Sequence, residues 1–589
     1  MNAAPLRRVP LGNADVLLER RADGAILLRS PHALAAFPQA LTARLAHWGS
    51  ATPGETFLAQ RDGSGWRTLS YGEAHARVRA LGAALLERGL SAERPVAILS
   101  ENGLEHALLA LAAMHVGVPH VPVSPAYSLL STDHSKLRYA MQLMTPGLVY
   151  ASDRARYEKA VAAAVPRNTE VVYGDALRAL ETHPGDAADR AHAAVGPDTI
   201  AKFLLTSGST GQPKAVINTQ RMLCANQQML AQALPWLAAE RPVLVDWLPW
   251  NHTAGGNHNV GITLWHGGTL YIDEGRPLAG LIEKTVRNLR EVAPTIYFNV
   301  PRGYEVLLPY LREDAALRRN FFSRLGLLQY AAAVLPQPVW LAYEELALQA
   351  CGERVLWITG YGATETAPAA MFTNRGAARA GTVGLPIDGV EMKLAPVEGK
   401  LEARFRGPSI TPGYWRAPEL TAASFDDEGY YRTGDAMRFL DAADPQQGLE
   451  FDGRIAEDFK LVTGTWVSVG PLRARLNAAC SPYVQDCVIT GHDRGQVGAL
   501  VFLSAVGLSK PRDEIRKVIS DALASLAKNS SSSMHAGRAL ILEEPPSIDA
   551  GEITDKGSIN QRAVLSRRAA LVELLYREPP GPSVIVSTR

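Results

Sequence analysis

The chain has 589 residues and a mass of 63.5 kDa, several times the size of a typical domain, so more than one domain is expected. Hydrophobic residues make up 47% and charged residues 20% of the sequence, as in ordinary globular proteins. Sixty Lys and Arg against 59 Asp and Glu give a net charge of +1, which argues against a general nucleic-acid binder and against electrostatic docking on an anionic membrane.

Cysteine usage and hydropathy argue against export and against a membrane protein. The four cysteines form no CxxC pair and are too few for a disulfide framework. The N-terminus lacks the apolar core of a signal peptide, and no run of about 18 apolar residues is present to span a bilayer. We therefore expect a cytoplasmic protein.

Short apolar runs alternate with helical patterns along most of the chain. The first of them predict a strand at 95–100, a helix at 103–116 and a strand at 120–124. Later strands are predicted near 170–173, 200–205, 243–248, 269–272, 295–300, 325–330 and 355–359, and later helices include 278–292 and 336–350. The alternation predicts an α/β fold with mixed sheets covered by helices.

The pattern changes near residue 450. The polar, turn-rich stretch 441–448 is interpreted as a linker or loop, and the residues after 577 as a loose tail. Between them lie strand signals at 484–490, 499–504 and 539–544, and a helical pattern at 511–527. The sequence thus predicts a large N-terminal domain, residues 1–450, and a small α+β domain, residues 451–589.

A predicted strand leads directly into a loop rich in glycine and hydroxyl groups. The loop consists of Thr206, Ser207, Gly208, Ser209, Thr210, Gly211, Gln212, Pro213 and Lys214. Glycines allow backbone N–H groups to approach phosphate oxygens, four hydroxyls add donors, and Lys214 adds a positive charge. The spacing is not that of a P-loop, because only two residues separate Gly208 from Gly211. A phosphate-binding loop is favoured over a flexible surface turn.

This loop resembles the phosphate-binding signature of the adenylate-forming superfamily, which includes acyl-CoA synthetases, nonribosomal adenylation domains and luciferases. Further motifs resemble those of the family and follow in its order: 361–366, 431–435, 453–468 and 552–557. The resemblance covers roughly residues 50 to 570. It implies that ATP and CoA are co-substrates and that Mg²⁺ is a cofactor. It also implies an acyl-adenylate intermediate and a mobile C-terminal domain.

The resemblance also assigns residues to ATP. Residues 206–214 would hold the β- and γ-phosphates, Thr364 would donate to the α-phosphate, and Glu365 would bind Mg²⁺, a hard ion that prefers carboxylate and phosphate oxygens. Adenine would contact the motif of Tyr361, Gly362 and Ala363, and the ribose would contact Asp435 and Arg454. Local sequence alone also permits a surface carboxylate at Glu365 and a turn aspartate at Asp435.

Lys556 is expected to act as the catalytic lysine while the adenylate forms, and then to leave when the small domain rotates. The rotation would present a new face to CoA, in the motif that contains Lys460, Gly464 and Trp466. His252 would border the acyl tunnel and the entry for the pantetheine arm of CoA. A zinc site at His252 and His258 is disfavoured because no third ligand is near in sequence.

The acid is assigned by segments that look most like feruloyl-CoA synthases, namely 121–137, 247–261 and 551–565. The pocket is expected to be lined by 251–257, 300–303, 329–334 and 358–363, which are mostly small and apolar, with Gln329 and Tyr330 as polar or stacking partners. The expected substrate is a hydroxycinnamate such as ferulate, p-coumarate or caffeate. Fatty acids, or a carrier protein in place of CoA, are the alternatives. Neither nucleic acid nor membrane is expected as a partner, and a homodimer is compatible with the sequence.

Two features of the sequence depart from the family pattern. Ala456 stands near the hinge where Asp or Lys is common, and Ala331 and Ala332 replace a glycine pair where adenine packs. A degenerate nucleotide-binding scaffold is disfavoured, because both Glu365 and Lys556 are present.

Overall fold

The computed structural model describes residues 4–181, 185–207, 212–373, 380–528, 530–554, 557 and 559–587. Three sheets of eleven, six and four strands form the large N-terminal part, and a four-stranded sheet with a short hairpin forms the C-terminal part. Helices cover the sheets. The predicted α/β fold, with a large domain followed by a small one, is confirmed.

The six-stranded sheet positions the glycine-rich loop. Its strands, in spatial order, are Pro213–Thr219, Ile200–Ser207, His120–Val123, Val96–Leu99, Leu148–Ala151 and Glu170–Tyr173. All neighbours are parallel except the first pair, which forms an antiparallel hairpin. The central strands are buried along their whole length, which explains their uninterrupted apolar runs in the sequence.

The four-stranded sheet of the N-terminal part consists of Val243–Asp246, Thr269–Ile272, Thr56–Asp62 and Gly65–Ser70. Its first three strands are parallel neighbours, and the last pair is antiparallel. The predicted strands at 243–248 and 269–272 are therefore confirmed.

The eleven-stranded sheet carries most of the nucleotide motifs. Its strands, in spatial order, are Leu17–Arg20, Ile26–Arg29, Glu391–Val397, Lys400–Arg406, Tyr431–Phe439, Leu449–Arg454, Thr382–Pro386, Ala369–Phe372, Leu356–Gly362, Leu327–Tyr330 and Ile296–Asn299. The stretch 441–448 joins two antiparallel neighbours of this sheet, so it is a hairpin loop and not a linker. Because the second of these strands spans residues 450 and 451, we propose that the small domain begins after Arg454.

The helices of the N-terminal part are Ala43–Ala51, Tyr71–Glu87, Leu104–His115, Ala126–Leu129, Ser135–Met144, Arg154–Ala164, Asp186–Ala193, Gln220–Ala233, Val260–His266, Ile282–Glu291, Pro301–Glu313, Ala315–Ser323, Gln337–Cys351 and Pro418–Ala423. The helix predicted at 278–292 begins only at Ile282, because Gly280 takes a φ of +79° that a helix excludes. Among the described residues, no helix combines the length and apolar character needed to cross a membrane.

The C-terminal part has its own sheet and core. Its strands are Val484–Thr490, Gly498–Leu503, Arg538–Ile541 and Val584–Val586, its hairpin is Phe459–Lys460 with Trp466–Val467, and its helices are Val469–Ala479, Ala505–Leu508, Arg512–Ala527, Gln561–Arg567 and Ala569–Tyr576. The prediction of a loose tail after 577 is wrong, since Val584 and Ile585 are buried and pair antiparallel with Arg538–Ile541. The short apolar run of the tail forms an edge strand of the sheet.

Candidate active site

The phosphate-loop residues begin at the end of a buried strand. Ile200–Ser207 pairs with Pro213–Thr219 so that Thr206 lies opposite Lys214. The predictions for Gly208, Ser209, Thr210 and Gly211, and for the side chain of Ser207, concern positions outside the described residues. The Thr206 hydroxyl oxygen is buried and has no hydrogen-bond partner among the described residues. Because leaving such a group unpaired is costly, it marks a position suited to a ligand oxygen.

A cation, a carboxylate and a phenol meet beside this hairpin. Lys214 Nζ donates to Glu365 Oε1 at 3.0 Å and to the Tyr414 hydroxyl oxygen at 2.8 Å, and it lies 4.2 Å from the centre of the Tyr414 ring. Tyr414 also donates to Glu365 Oε1 at 2.9 Å. Burial lowers the pKa of Lys214, but the Glu365 carboxylate and Tyr414 outweigh burial and leave that pKa raised. Lys214 is therefore positively charged at neutral pH.

Local backbone structure fixes Glu365 at the end of its strand. The strand Leu356–Gly362 is followed by a 3₁₀ turn, Thr364–Thr366, in which Thr364 and Glu365 are buried. The Thr411 backbone N–H donates to the Glu365 carbonyl oxygen at 2.8 Å and ties this turn to the segment that carries Tyr414. Carboxyl ends of strands are where open α/β sheets bind ligands. The position of Glu365 fits that rule.

The predicted ribose residues also lie together. Tyr361 donates its hydroxyl to Asp435 Oδ2 at 2.6 Å, and Arg454 Nε donates to Asp435 Oδ1 at 3.2 Å. Asp435 and Arg454 face each other across antiparallel strands. Burial, with the neighbouring Asp435 charge, holds the pKa of Tyr361 well above its usual value, so this phenol remains a donor. The ring of Tyr361 stacks on Phe405 with centroids 5.8 Å apart.

The residues at this site fit a magnesium ion bound together with ATP. Within the described part of the chain, no three His, Cys, Asp or Glu side chains are grouped as metal ligands. Mg²⁺ is usually held by one or two carboxylates, with water and substrate phosphates completing the octahedron. Glu365, buried beside the hairpin of Ile200–Ser207 and Pro213–Thr219, would supply one such carboxylate if Lys214 turned from it toward phosphate.

His252 precedes a π-helix, Ala254–Asn259, that is packed tightly on the preceding backbone. A Cβ atom on Gly255 would lie 2.3 Å from the carbonyl oxygen of Leu248, so only glycine fits there. The backbone N–H of His252 donates to Pro249. π-Helical turns recur at functional sites, and this one holds His252 half-buried at its start.

His258 belongs to a buried polar group of three side chains, with Gln329 and Asn259. Its Nε2 accepts from Gln329 Nε2 at 3.1 Å, and its Nδ1 donates to Asn259 Oδ1 at 2.9 Å. Burial lowers the pKa of His258 to about 4, so the ring is neutral at pH 7. The amide oxygen Oε1 of Gln329 is buried and finds no donor among the described residues. Gln329 therefore offers an acceptor that the described residues leave unused.

The residues predicted to meet CoA lie in the C-terminal part. Lys460 and Trp466 face each other across the short hairpin, with the ammonium 4.9 Å from the indole, and Gly464 forms its turn with a φ of +80°. No hydrogen bond or ion pair within the described ranges joins this hairpin to Asp435 or Glu365. Lys556 is one of the positions outside the described residues.

Two contacts were not found from the sequence. Tyr414 links Lys214 to Glu365 across 200 and 49 positions of chain, and its only local signal is a Pro-Gly turn. Lys400 donates to Asp458 Oδ2 at 2.6 Å and to Ser468 Oγ at 3.1 Å. The ion pair between Lys400 and Asp458 supplies charge at the boundary between the two parts of the chain, where Ala456 has none.

Ala332 takes a φ of +74°, a conformation that glycine adopts at no cost. The replacement of the glycine pair by Ala331 and Ala332 is thus accommodated with some backbone strain.

Comparison with known proteins agrees with this site. The family model of AMP-binding enzymes matches residues 45–415, and that of their C-terminal domain matches residues 458–579. The chain belongs to the family of AMP-binding enzymes. The predicted membership of the adenylate-forming superfamily is confirmed.

Individual relatives are distant. The chain is 29% identical over 343 residues to a malonate–CoA ligase of Arabidopsis thaliana. The match covers 55% of this chain and 54% of the ligase, so this chain spans about half of that relative's length. It is 25% identical over 470 residues to a feruloyl-CoA synthase of Amycolatopsis sp., covering 77% of this chain and 87% of that protein. The solved structure of the anthranilate CoA ligase AuaEII with anthranoyl-AMP shares the fold, with a TM-score of 0.72, 20% identity and coverage of 92% and 99%.

Proposed function

We propose that this protein is an AMP-forming ligase that activates a carboxylic acid with ATP and passes the acyl group to CoA. The observation that carries the proposal is the triad of Lys214, Glu365 and Tyr414 beside the strand pair that flanks the loop 206–214. In this triad Lys214 offers a cation that can bind phosphate, and Glu365 offers a carboxylate that can bind a hard metal ion. Asp435, held by Tyr361, supplies an acceptor suited to a ribose diol.

In the first step, a carboxylate oxygen of the acid would attack the α-phosphorus of ATP. The bond from that phosphorus to the bridging oxygen would break, and pyrophosphate would leave. Lys214 would release Glu365 and bind phosphate oxygens, where negative charge must be stabilised. Glu365 would hold Mg²⁺, which supplies additional positive charge when bound. Lys556 and Thr364 are assigned to the oxygens around the α-phosphorus.

In the second step, the thiol sulfur of CoA would attack the acyl carbon of the adenylate. The thiol would lose its proton to solvent, the bond from the acyl carbon to the AMP oxygen would break, and AMP would leave. The half-buried His252, at the start of its π-helix, is assigned to the border of this path. The hairpin with Lys460, Gly464 and Trp466 is assigned to CoA after the small domain has rotated.

For the acid we propose a hydroxycinnamate. Similarity over 77% of the chain to a feruloyl-CoA synthase supports this class. So does Gln329, whose buried and unused amide oxygen matches a phenolic hydroxyl donor. A site that buries an acceptor should reject an analogue without the donor, because the acceptor would then stay unpaired.

The test is a panel of acids with ATP and CoA, scored by thioester formation. Ferulate, p-coumarate and caffeate should give a higher kcat/KM than palmitate or malonate. Wild type should favour p-coumarate over cinnamate, which lacks the hydroxyl, and Gln329→Met should reduce that preference. A higher kcat/KM for palmitate than for ferulate would overturn the acid class. Pyrophosphate exchange without any CoA thioester would overturn the acceptor and favour a carrier protein.

A further inference from the structure

The C-terminal part contacts the N-terminal part through a turn that precedes Lys556 in sequence. Asp549 Oδ2 accepts from the backbone N–H of Thr132 at 3.1 Å and from the Thr132 hydroxyl at 2.9 Å. Lys136 donates to the carbonyl oxygen of Ile548. We call Thr132, Lys136, Ile548 and Asp549 the latch.

The charges at the latch are complementary. Burial raises the pKa of the Asp549 carboxyl, but hydrogen bonds from Ser131 and Thr132 and the charge of Lys136 outweigh burial and leave that pKa lowered. Asp549 is therefore ionised at neutral pH. Hydrogen bonds to an ionised acceptor are stronger than neutral ones, so these contacts can hold one domain orientation.

The turn that carries Asp549 is firmly built into its domain. Glu552 is completely buried; its Oε2 accepts from the backbone N–H of Ser547 at 2.9 Å, and its backbone N–H donates back to Ser547. Arg568 Nε donates to Glu552 Oε1 at 2.7 Å. Residues 547–552 thus form a turn that is hydrogen-bonded to the C-terminal helices. Asp549 therefore moves together with the C-terminal part.

The same turn continues into the segment that contains Lys556. Ile553 and Ile559 face each other in an antiparallel bridge, so the chain leaves and re-enters this turn at one place. Asn560 donates its backbone N–H to Glu552 at 2.8 Å and joins the bridge to the turn. The position of the latch therefore sets where the segment between these two isoleucines begins and ends.

On the N-terminal side, the latch residues follow a strand that neighbours the strand leading into the phosphate loop. Thr132 and Lys136 follow the strand His120–Val123, which runs parallel to Ile200–Ser207 and beside it. The carboxyl ends of both strands meet at one edge, and the phosphate loop begins there. Leu137, next to Lys136, belongs to the same buried cluster as Ala215, which follows Lys214.

We propose that Thr132, Lys136 and Asp549 are positioning residues, which hold the Lys556 segment at the phosphate edge while the adenylate forms and which separate for the thioester step. The inference rests on the proposed two-step function. It predicts that breaking the latch slows only the first half-reaction, because the second one uses a different domain orientation.

The test is Asp549→Ala assayed in two half-reactions. Exchange of pyrophosphate into ATP in the presence of acid should fall about ten- to a hundredfold, the range for a lost hydrogen bond to a charge. Thioester formation from preformed acyl-adenylate and CoA should stay within about twofold of wild type. Asp549→Asn keeps an acceptor oxygen and should retain most of the exchange activity. Asp521→Ala, at an exposed helix position of the same domain, is the matched control and should change neither rate.

A double-mutant cycle separates the contact from general damage. Thr132→Ala removes the hydroxyl hydrogen bond and should slow exchange by itself. Adding it to Asp549→Ala should cost little more, because Asp549→Ala has already removed that bond together with the one from the Thr132 backbone N–H. Equal loss in both half-reactions, or fully additive effects, would overturn the latch. An unchanged exchange rate in Asp549→Ala would overturn it as well.

A cross-link tests the latch independently of the reaction. Thr132→Cys with Asp549→Cys should form a disulfide on oxidation, in a Cys351→Ser background, because the other three native cysteines are buried. The cross-linked protein should retain exchange and lose thioester formation, and reduction should restore it. Failure to cross-link would overturn the contact. If wild type shows no exchange with any acid, the proposed function fails, whereas efficient cross-linking would still support the contact.

Discussion

Replacing Asp435 by asparagine should weaken ATP binding through the ribose. A carboxylate has about four lone-pair sites. Tyr361 uses one on Oδ2 and Arg454 uses one on Oδ1, at 2.6 and 3.2 Å, so two remain for the two hydroxyls of a ribose. Asparagine keeps a single acceptor oxygen, which Tyr361 would still occupy, and its amide nitrogen would face the Arg454 guanidinium. At most one acceptor site would then remain for the diol.

The expected size follows from that loss. A hydrogen bond to a charged acceptor contributes about 1.5–3 kcal/mol, so losing one should raise the KM for ATP about ten- to a hundredfold. The contact is made equally in the ground state and the transition state, so kcat should change much less. Asp435→Ala should also lower the melting temperature, because it leaves the hydroxyl of the half-buried Tyr361 without its acceptor.

The assay is pyrophosphate exchange with ATP and with 2′-deoxyATP, using wild type and Asp435→Asn. Wild type should discriminate against the deoxynucleotide, and the variant should discriminate much less. An ATP KM within twofold of wild type, or undiminished discrimination in the variant, would refute the ribose role.

Three further outcomes are expected. Glu365→Gln should raise the Mg²⁺ concentration needed for half-maximal adenylate formation, because an amide is a poorer ligand for a hard ion; an unchanged Mg²⁺ titration and rate would remove Glu365 as the ligand. Burial raises the pKa of Asp246 to about 7, so at intermediate pH the native carboxyl keeps a proton that the unfolded chain releases. The free energy of unfolding of the wild type therefore falls as pH rises toward 7. Asp246→Asn removes this loss and should stabilise the protein by a few kcal/mol more at pH 8 than at pH 5. Equal melting-temperature shifts at the two pH values would contradict it. Gly255→Ala should lower the melting temperature and slow the reaction, because its Cβ would meet the carbonyl oxygens of Leu248 and Pro249 at 2.3 and 2.6 Å; a variant as stable as wild type would show that the π-helix is not tightly constrained.

The sheets could be predicted from sequence where burial is continuous. The strands Val96–Leu99, His120–Val123 and Leu148–Ala151 are buried on both faces, and a strand of that kind needs an unbroken apolar run. The first and second were predicted within two residues, whereas the third, equally buried, was not predicted. The tail strand Val584–Val586 was missed because three apolar residues after a Pro-rich stretch give no periodicity, and pairing with a distant strand decides its structure.

The candidate site divides in the same way. Lys214, Glu365 and Asp435 could be predicted as candidates because they lie in motifs that follow one another in the order of the family. Tyr414 lies in no such motif. Its role depends on a hydrogen bond from Lys214 that forms only when the chain has folded. The latch residue Asp549 is likewise an ordinary surface aspartate in sequence, and its contact with Thr132 joins positions 417 residues apart.

The central claim, that the acid is activated as an acyl-adenylate, is tested most directly with ferulate labelled with ¹⁸O in both carboxylate oxygens. After reaction with ATP and CoA, AMP should carry one ¹⁸O atom, because the carboxylate oxygen that attacks the α-phosphorus leaves with AMP. The label should be absent from inorganic phosphate, and no ADP should form. Label in inorganic phosphate together with ADP would indicate an acyl-phosphate route and would contradict the account.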